Sequence, residues 1–143
     1  MKATNIIVDT SIIIKWLLPD EKDIMALKIK QKFDENLLTI SIPHIAYYEI
    51  GNVLKTAVKH QRVSENIAKK LYSAVIDLDF VAYATKDLFN LAIFKSLDFD
   101  ISFYDASYIA LSDYLQVPYI TADIKLLNKV KNKLVIDLKG YIL

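Results

Sequence analysis

The chain contains no cysteine. That one absence excludes disulfides, thiolate-held metals and a cysteine nucleophile. Two histidines in 143 residues argue against a histidine-built zinc centre as well. Two glycines and three prolines leave little room for long irregular loops or flexible linkers. No charge sign dominates: 18 Lys and Arg against 17 Asp and Glu give +1, so any nucleic-acid surface has to be local. Asp9 and Lys15 interrupt the apolar N-terminal stretch, and no uninterrupted run reaches the roughly eighteen residues of a membrane span. The N-terminus lacks an apolar core followed by a small-residue cleavage site, so no secretory signal is expected and the default is a cytoplasmic protein.

What is present fits one domain over residues 1–143, long enough to bury roughly 70% of its unfolded surface. A hydrophobic share of 54% suits an α/β core whose sheet is covered on both faces. The first strand organises the rest. Asn5-Ile6-Ile7-Val8-Asp9 carries consecutive aliphatic residues, the pattern of a strand buried on both faces, and ends on a carboxylate. Thr10 and Ser11 follow, then an apolar helix-length run over Ile12–Leu18. In open α/β sheets chemistry collects just beyond the carboxyl ends of strands, where Asp9 falls. Asp9 or Thr10 also suits a plain helix N-cap.

Pro19 stops the first helix, and Asp20, Glu21 and Asp23 load the start of a second, expected to reach about Glu35 with Ile24, Leu27 and Phe33 inward. Residues 37–42 read as a strand, and Pro43 as the first residue of a helix running to about Lys59. There Ala46, Ile50, Val53, Leu54 and Ala57 make an apolar stripe, with Glu49, Asn52 and Thr56 as a polar ridge beside it. Glu49, at the edge of that core face, is a candidate for chemistry or an ordinary exposed side chain. Ser64 should cap a helix ending near Asp77, residues 79–83 form a strand, and Thr85 cap a helix over 86–97 with Leu88, Leu91, Ala92 and Leu97 inward. Ser102 and Asp105 have the spacing of a capping pair opening the next helix, which runs to about Leu115. Residues 116–121 form a short strand, and Asp123 follows it as Asp9 follows the first. A helix over 124–130 and an edge strand over 134–138 complete the alternation, which predicts a mostly parallel sheet with right-handed crossovers.

If the first and fourth strands are neighbours, Asp9 and Asp123 meet at the topological switch point. Clustered carboxylates repel, so a protein gathers them chiefly to hold a hard cation, and oxygen-only ligation suits Mg²⁺ or Mn²⁺. Thr10, Ser11, Asn52 and Thr121 would orient the carboxylates. Val8-Asp9-Thr10-Ser11, Glu49 to Leu54, Tyr104 to Leu111 and Thr121-Ala122-Asp123 together resemble the PIN-domain ribonucleases, and most of all the VapC-type toxins of type II toxin–antitoxin modules.

The resemblance implies a three-layer α/β/α fold with a five-stranded, mainly parallel sheet, and a divalent-metal endoribonuclease leaving a 5′-phosphate and a 3′-hydroxyl. It places acidic metal-binding and catalytic positions on Asp9, Glu49, Asp105 and Asp123, supported by Ser11, Asn52 and Thr121. It implies one or two Mg²⁺ or Mn²⁺ ions, an RNA substrate and a cognate antitoxin. A homodimer surface is a reasonable use for Tyr47 or Tyr48. Asp98 and Asp100 read as solvated loop charges, and His44 and His60 as incidental. Lys15 and Lys125 are the nearest candidates for phosphate contact, with Lys129, Lys131 and Lys133 beyond them and Lys55, Lys59, His60, Arg62, Lys69 and Lys70 clustered mid-chain. A flap-like DNA nuclease and a non-catalytic acidic pocket for a partner protein are the competing readings.

Overall fold

The computed structural model describes residues 2–84 and 86–141. Thr85, expected as a helix cap, lies outside the described residues. The strands are β1 (Thr4–Val8), β2 (Leu38–Pro43), β3 (Val81–Tyr83), β4 (Tyr119–Thr121) and β5 (Val135–Asp137). Between them run the helices α1 (Thr10–Leu17), α2 (Ile24–Asp34), α3 (Ile45–Lys59), α4 (Glu65–Ile76), α5 (Lys86–Phe99), α6 (Phe103–Leu115) and α7 (Ile124–Lys129).

The strands form one sheet in the order β3-β2-β1-β4-β5, and each neighbouring pair is parallel. From β1 the chain steps outward through β2 to β3, then returns to β4 and β5 on the other side. Under the right-handed crossover rule, that reversal sends successive connections to opposite faces. Burial agrees: Ile6, Ile7 and Val8 alternate in direction along β1, yet all three are fully buried. This is the three-layer α/β/α arrangement expected from the sequence. The β1–β4 seam is the switch point, with Ile7 opposite Tyr119 and Val8 opposite Ile120.

Several local expectations shift. Pro43 ends β2 instead of opening α3; it lies opposite Tyr83, and in this register the bond to the Tyr83 carbonyl comes from the His44 N–H at 2.9 Å, so the missing proline N–H breaks no bond to β3. Helix α2 buries Ala26, Ile29 and Phe33, while Ile24 is 74% exposed and Leu27 faces solvent too. Asp23 accepts from the Met25 and Ala26 N–H groups, which anchors the start of α2. From there, Ala26, Ile29 and Phe33 fall on one face by helical spacing. Helix α5 buries Leu88 and Ala92, but Leu97 is 73% exposed. Asp98 belongs to α5 and not to a loop, and Asp100, just past its end, holds the Lys129 ammonium through its backbone carbonyl at 2.7 Å. The chain's poverty in glycine shows at the ends of α2, α3, α5 and α6, where Asn36, Gln61, Asp100 and Gln116 adopt left-handed backbone. Among the described residues no helix is long and apolar enough to cross a membrane.

Candidate active site at the carboxyl edge of the sheet

Asp9 follows the last residue of β1 and occupies the N-cap position of α1, but its side chain caps nothing there. Asp9 is 7% exposed, and its Oδ2 accepts from the Thr121 hydroxyl at 2.6 Å. Strand register explains the pairing. With Val8 opposite Ile120, the next residues along the parallel strands, Asp9 and Thr121, are brought side by side. Burial pushes the Asp9 carboxyl above its ordinary range, the Asp105 charge adds to that, and hydrogen bonding from Thr121 and Ser11 opposes it.

Glu49 stands on α3 at the margin of the buried Ala46–Ile50 stripe. Its Oε1 accepts from the Tyr108 hydroxyl at 2.7 Å, and Thr10 Oγ1 lies 3.3 Å from the same oxygen. Its proton affinity is raised by burial and by the charges of Asp9 and Asp105. Asp105 lies in the first turn of α6, where the serine half of the expected capping pair is found: Ser102 Oγ accepts from the Asp105 N–H at 3.0 Å. Burial again raises the Asp105 carboxyl, with the Asp123 charge contributing. Asp123 serves two ends at once. Its Oδ1 caps α7 through the Lys125 and Leu126 N–H groups at 2.9 and 3.1 Å, and its own N–H donates to Thr121 Oγ1 at 3.0 Å.

Four acids from four elements thus lie toward one edge, with the charge of Asp105 acting on Asp9, those of Asp9 and Asp105 on Glu49, and that of Asp123 on Asp105. The ion pairs of the described residues leave all four out. In the hydrogen bonds found, Asp9, Glu49 and Asp123 each have one carboxylate oxygen held by a protein donor. A hard divalent cation takes donors of this kind, one oxygen from each carboxylate. The all-carboxylate donor set is of the kind Mg²⁺ and Mn²⁺ take, though as the side chains stand no three of them converge on one point among the described residues.

The supporting residues divide. Thr121 holds Asp9 directly, Thr10 reaches Glu49 through the Tyr108 hydroxyl, and Ser11 also accepts the Ala122 N–H at 3.4 Å. Asn52 is exposed and makes no side-chain hydrogen bond among the described residues; it lines an open groove beside Glu49 with Ile45, Tyr48, Val53 and Tyr104. Lys15, half-buried, lines a cavity of about 140 Å³ with Ala122, Ile124 and Lys139, while Lys125 projects into solvent. The mid-chain basic cluster is partly consumed: Arg62 is tied to Asp20 and Glu21, and Lys69 to Glu65. Lys55 and Lys69 border a cavity of about 690 Å³ between α3 and α4, which none of the four acids lines.

Sequence reasoning passed over Tyr108 and Tyr119. Both are fully buried and stack with ring centroids 5.4 Å apart. The Tyr119 hydroxyl has no hydrogen-bond partner within bonding geometry, although it lies close enough to Asp9 for that charge to oppose its ionisation. One signal for Tyr108 was available, since it stands three residues after Asp105 and so shares its helix face.

The fold is shared with PAE2754 of Pyrobaculum aerophilum, whose crystal structure matches 96% of this chain and 92% of that one with a TM-score of 0.70 and 25% identity. Ribonuclease VapC1 of Mycobacterium tuberculosis, in strains CDC 1551 / Oshkosh and ATCC 25618 / H37Rv, is 32% identical over 84 residues. That match spans 59% of this chain and 62% of the relative, less than two thirds of its length. Residues 6–133, nearly the whole chain, fit the sequence pattern of the PIN domain, and the chain belongs to the PIN domain family.

Proposed function

We propose that this chain is a divalent-metal-dependent endoribonuclease and the toxin of a toxin–antitoxin pair. One observation carries the reading. Asp9, Glu49, Asp105 and Asp123 lie toward one sheet edge, with burial raising the proton affinity of the first three and no cationic side chain paired to any of the four among the described residues. Holding carboxylates partly out of water and near one another costs free energy that a bound cation offsets. The M. tuberculosis relative is a ribonuclease, which points the proposal to RNA.

Asp9, Glu49, Asp105 and Asp123 would hold one or two Mg²⁺ or Mn²⁺ ions, which when bound supply a water of lowered pKa and neutralise charge on the scissile phosphate. The protein's own part is placement. Thr121 fixes two of the four positions with one hydroxyl, donating to Asp9 and accepting from the Asp123 N–H. No side chain is needed as nucleophile. Lys15 and Lys125 would contact flanking phosphates. An antitoxin with a basic side chain would complement the acidic edge. A second copy of the chain would cover the exposed apolar surface of α5 and the start of α6, formed by Phe89, Ile93, Phe94, Leu97 and Tyr104. The proposed setting is the cytoplasm.

The test incubates the purified chain with single-stranded RNA, duplex DNA and flap DNA, in EDTA and in Mg²⁺ or Mn²⁺. Cleavage of RNA only with metal, lost in Asp105→Asn, is expected. Cleavage confined to flap DNA would transfer the chain to the structure-specific DNA nucleases. Neither cleavage nor cation binding would leave the acidic edge as a docking site for a protein.

A further inference from the structure

Tyr108 is fully buried in α6, with its hydroxyl 2.7 Å from Glu49 Oε1 and 2.7 Å from Thr10 Oγ1. Thr10 Oγ1 is also 3.3 Å from the same glutamate oxygen. Two hydroxyl protons therefore face three contacts. With Glu49 ionised, the two shorter contacts are both filled when Thr10 donates to Tyr108 and Tyr108 donates to Glu49, the phenol being the more acidic hydroxyl. The phenol cannot turn away, because its ring is sealed in the core and stacked on Tyr119 at 5.4 Å and 16°. The three residues sit on α1, α3 and α6, so the relay joins three elements at the edge that carries the acids.

We propose that Tyr108 is a positioning residue: through the Thr10–Tyr108–Glu49 relay it holds Oε1 inward, so that Glu49 offers a cation Oε2 alone. The inference rests on the metal-dependent reading above. A carboxylate with one free oxygen suits the octahedral, single-oxygen ligation of Mg²⁺ and Mn²⁺. Ca²⁺, which takes six to eight oxygens and often two from one carboxylate, is served poorly. Tyr108 thereby favours the smaller ions over Ca²⁺ without touching any of them.

Tyr108→Phe keeps the ring and its stacking and deletes only the hydroxyl. Mn²⁺ dissociation constants, read from the paramagnetic resonance signal of free Mn²⁺, and Ca²⁺ competition against it are measured for the whole chain. Mn²⁺ affinity should fall by about 10–100-fold, as when a ligand loses its outer support. Ca²⁺ should lose less, so that the preference for Mn²⁺ over Ca²⁺ narrows. Thr10→Val, which removes the other end of the relay, should narrow it in the same direction, and Thr10→Ser should restore it. These two variants carry the test if Tyr108→Phe does not fold. A Mn²⁺-to-Ca²⁺ preference equal to wild type in Tyr108→Phe and Thr10→Val would overturn the relay alone. Wild-type protein that binds no Mn²⁺ would overturn the metal-dependent reading and the relay with it.

Discussion

Asp9→Asn separates charge from shape at the centre of the proposed site. An asparagine oxygen can still accept the Thr121 proton now given to Oδ2 at 2.6 Å, so the seam between β1 and β4 stays closed. What disappears is a charge that burial and Asp105 both disfavour. The Asp9 pKa is raised in the folded chain above the ordinary aspartate value of about 3.8, so folding takes up a proton over the interval between them. Stability contributed by Asp9 is therefore greatest at low pH and declines as pH rises from about 3.8 through the folded value. Glu49 and Asp105 shift in the same direction and add to the decline. In EDTA at pH 7, Asp9→Asn should melt above wild type and lose less stability between pH 4 and pH 7.

A divalent cation should reverse the order. A ligand at one hundred times its dissociation constant stabilises the folded state by about 2.7 kcal/mol. For a domain of this size that is a rise in Tm of about 10 °C. Wild type should gain that increment in a Mn²⁺ titration, while Asp9→Asn, lacking one of the four carboxylates, should gain little, so the two melting curves cross. Differential scanning fluorimetry in EDTA and across the titration reads both halves. An equal Mn²⁺ increment in the two proteins, or a variant less stable than wild type in EDTA, refutes the argument that these acids are held at a cost for a cation.

Thr121→Val removes the donor to Asp9 and the acceptor for the Asp123 N–H, and should cost about 1–3 kcal/mol in urea unfolding. RNA cleavage by that variant should fall as well. Ile50→Ala empties a fully buried position beside Glu49 and should cost about 2–5 kcal/mol by the same measurement. Lys15→Ala combined with Lys125→Ala should raise KM for RNA with kcat held, and flatten the logarithmic salt dependence of binding by roughly 0.7 per lysine that contacts a phosphate. An unchanged salt slope would place the phosphate contacts elsewhere.

Asp9 and Asp123 stand out in the sequence because each closes an apolar run. Asp9 ends a run of three fully buried aliphatics, and Asp123 follows a β4 that is buried throughout. A carboxylate in such a place needs a reason that the sequence already states. Helix α2 was harder, since Ile24 and Leu27 compete with Ala26, Ile29 and Phe33 for the inward face. The choice between two weak stripes was made by the Asp23 cap and the packing against α1 and β2, and neither is a property of local periodicity. Leu97 failed for a related reason: α5 carries apolar residues on its outer face too, so apolarity alone does not say which side is buried.

Tyr108 shows where reading from the sequence ends. Its bonds span 98 residues to Thr10 and 59 to Glu49, and both depend on how α6 crosses α1 and α3. Thr121 spans 112 residues to Asp9, yet strand register delivers that contact as soon as β1 and β4 are neighbours. Parallel pairing converts two short sequence patterns into a side-by-side contact. Helix packing supplies no such rule, because a shift of one turn would carry the phenol past Glu49 without disturbing any apolar period. The site's strand half therefore follows from sequence and topology, while its helix half requires the packed structure.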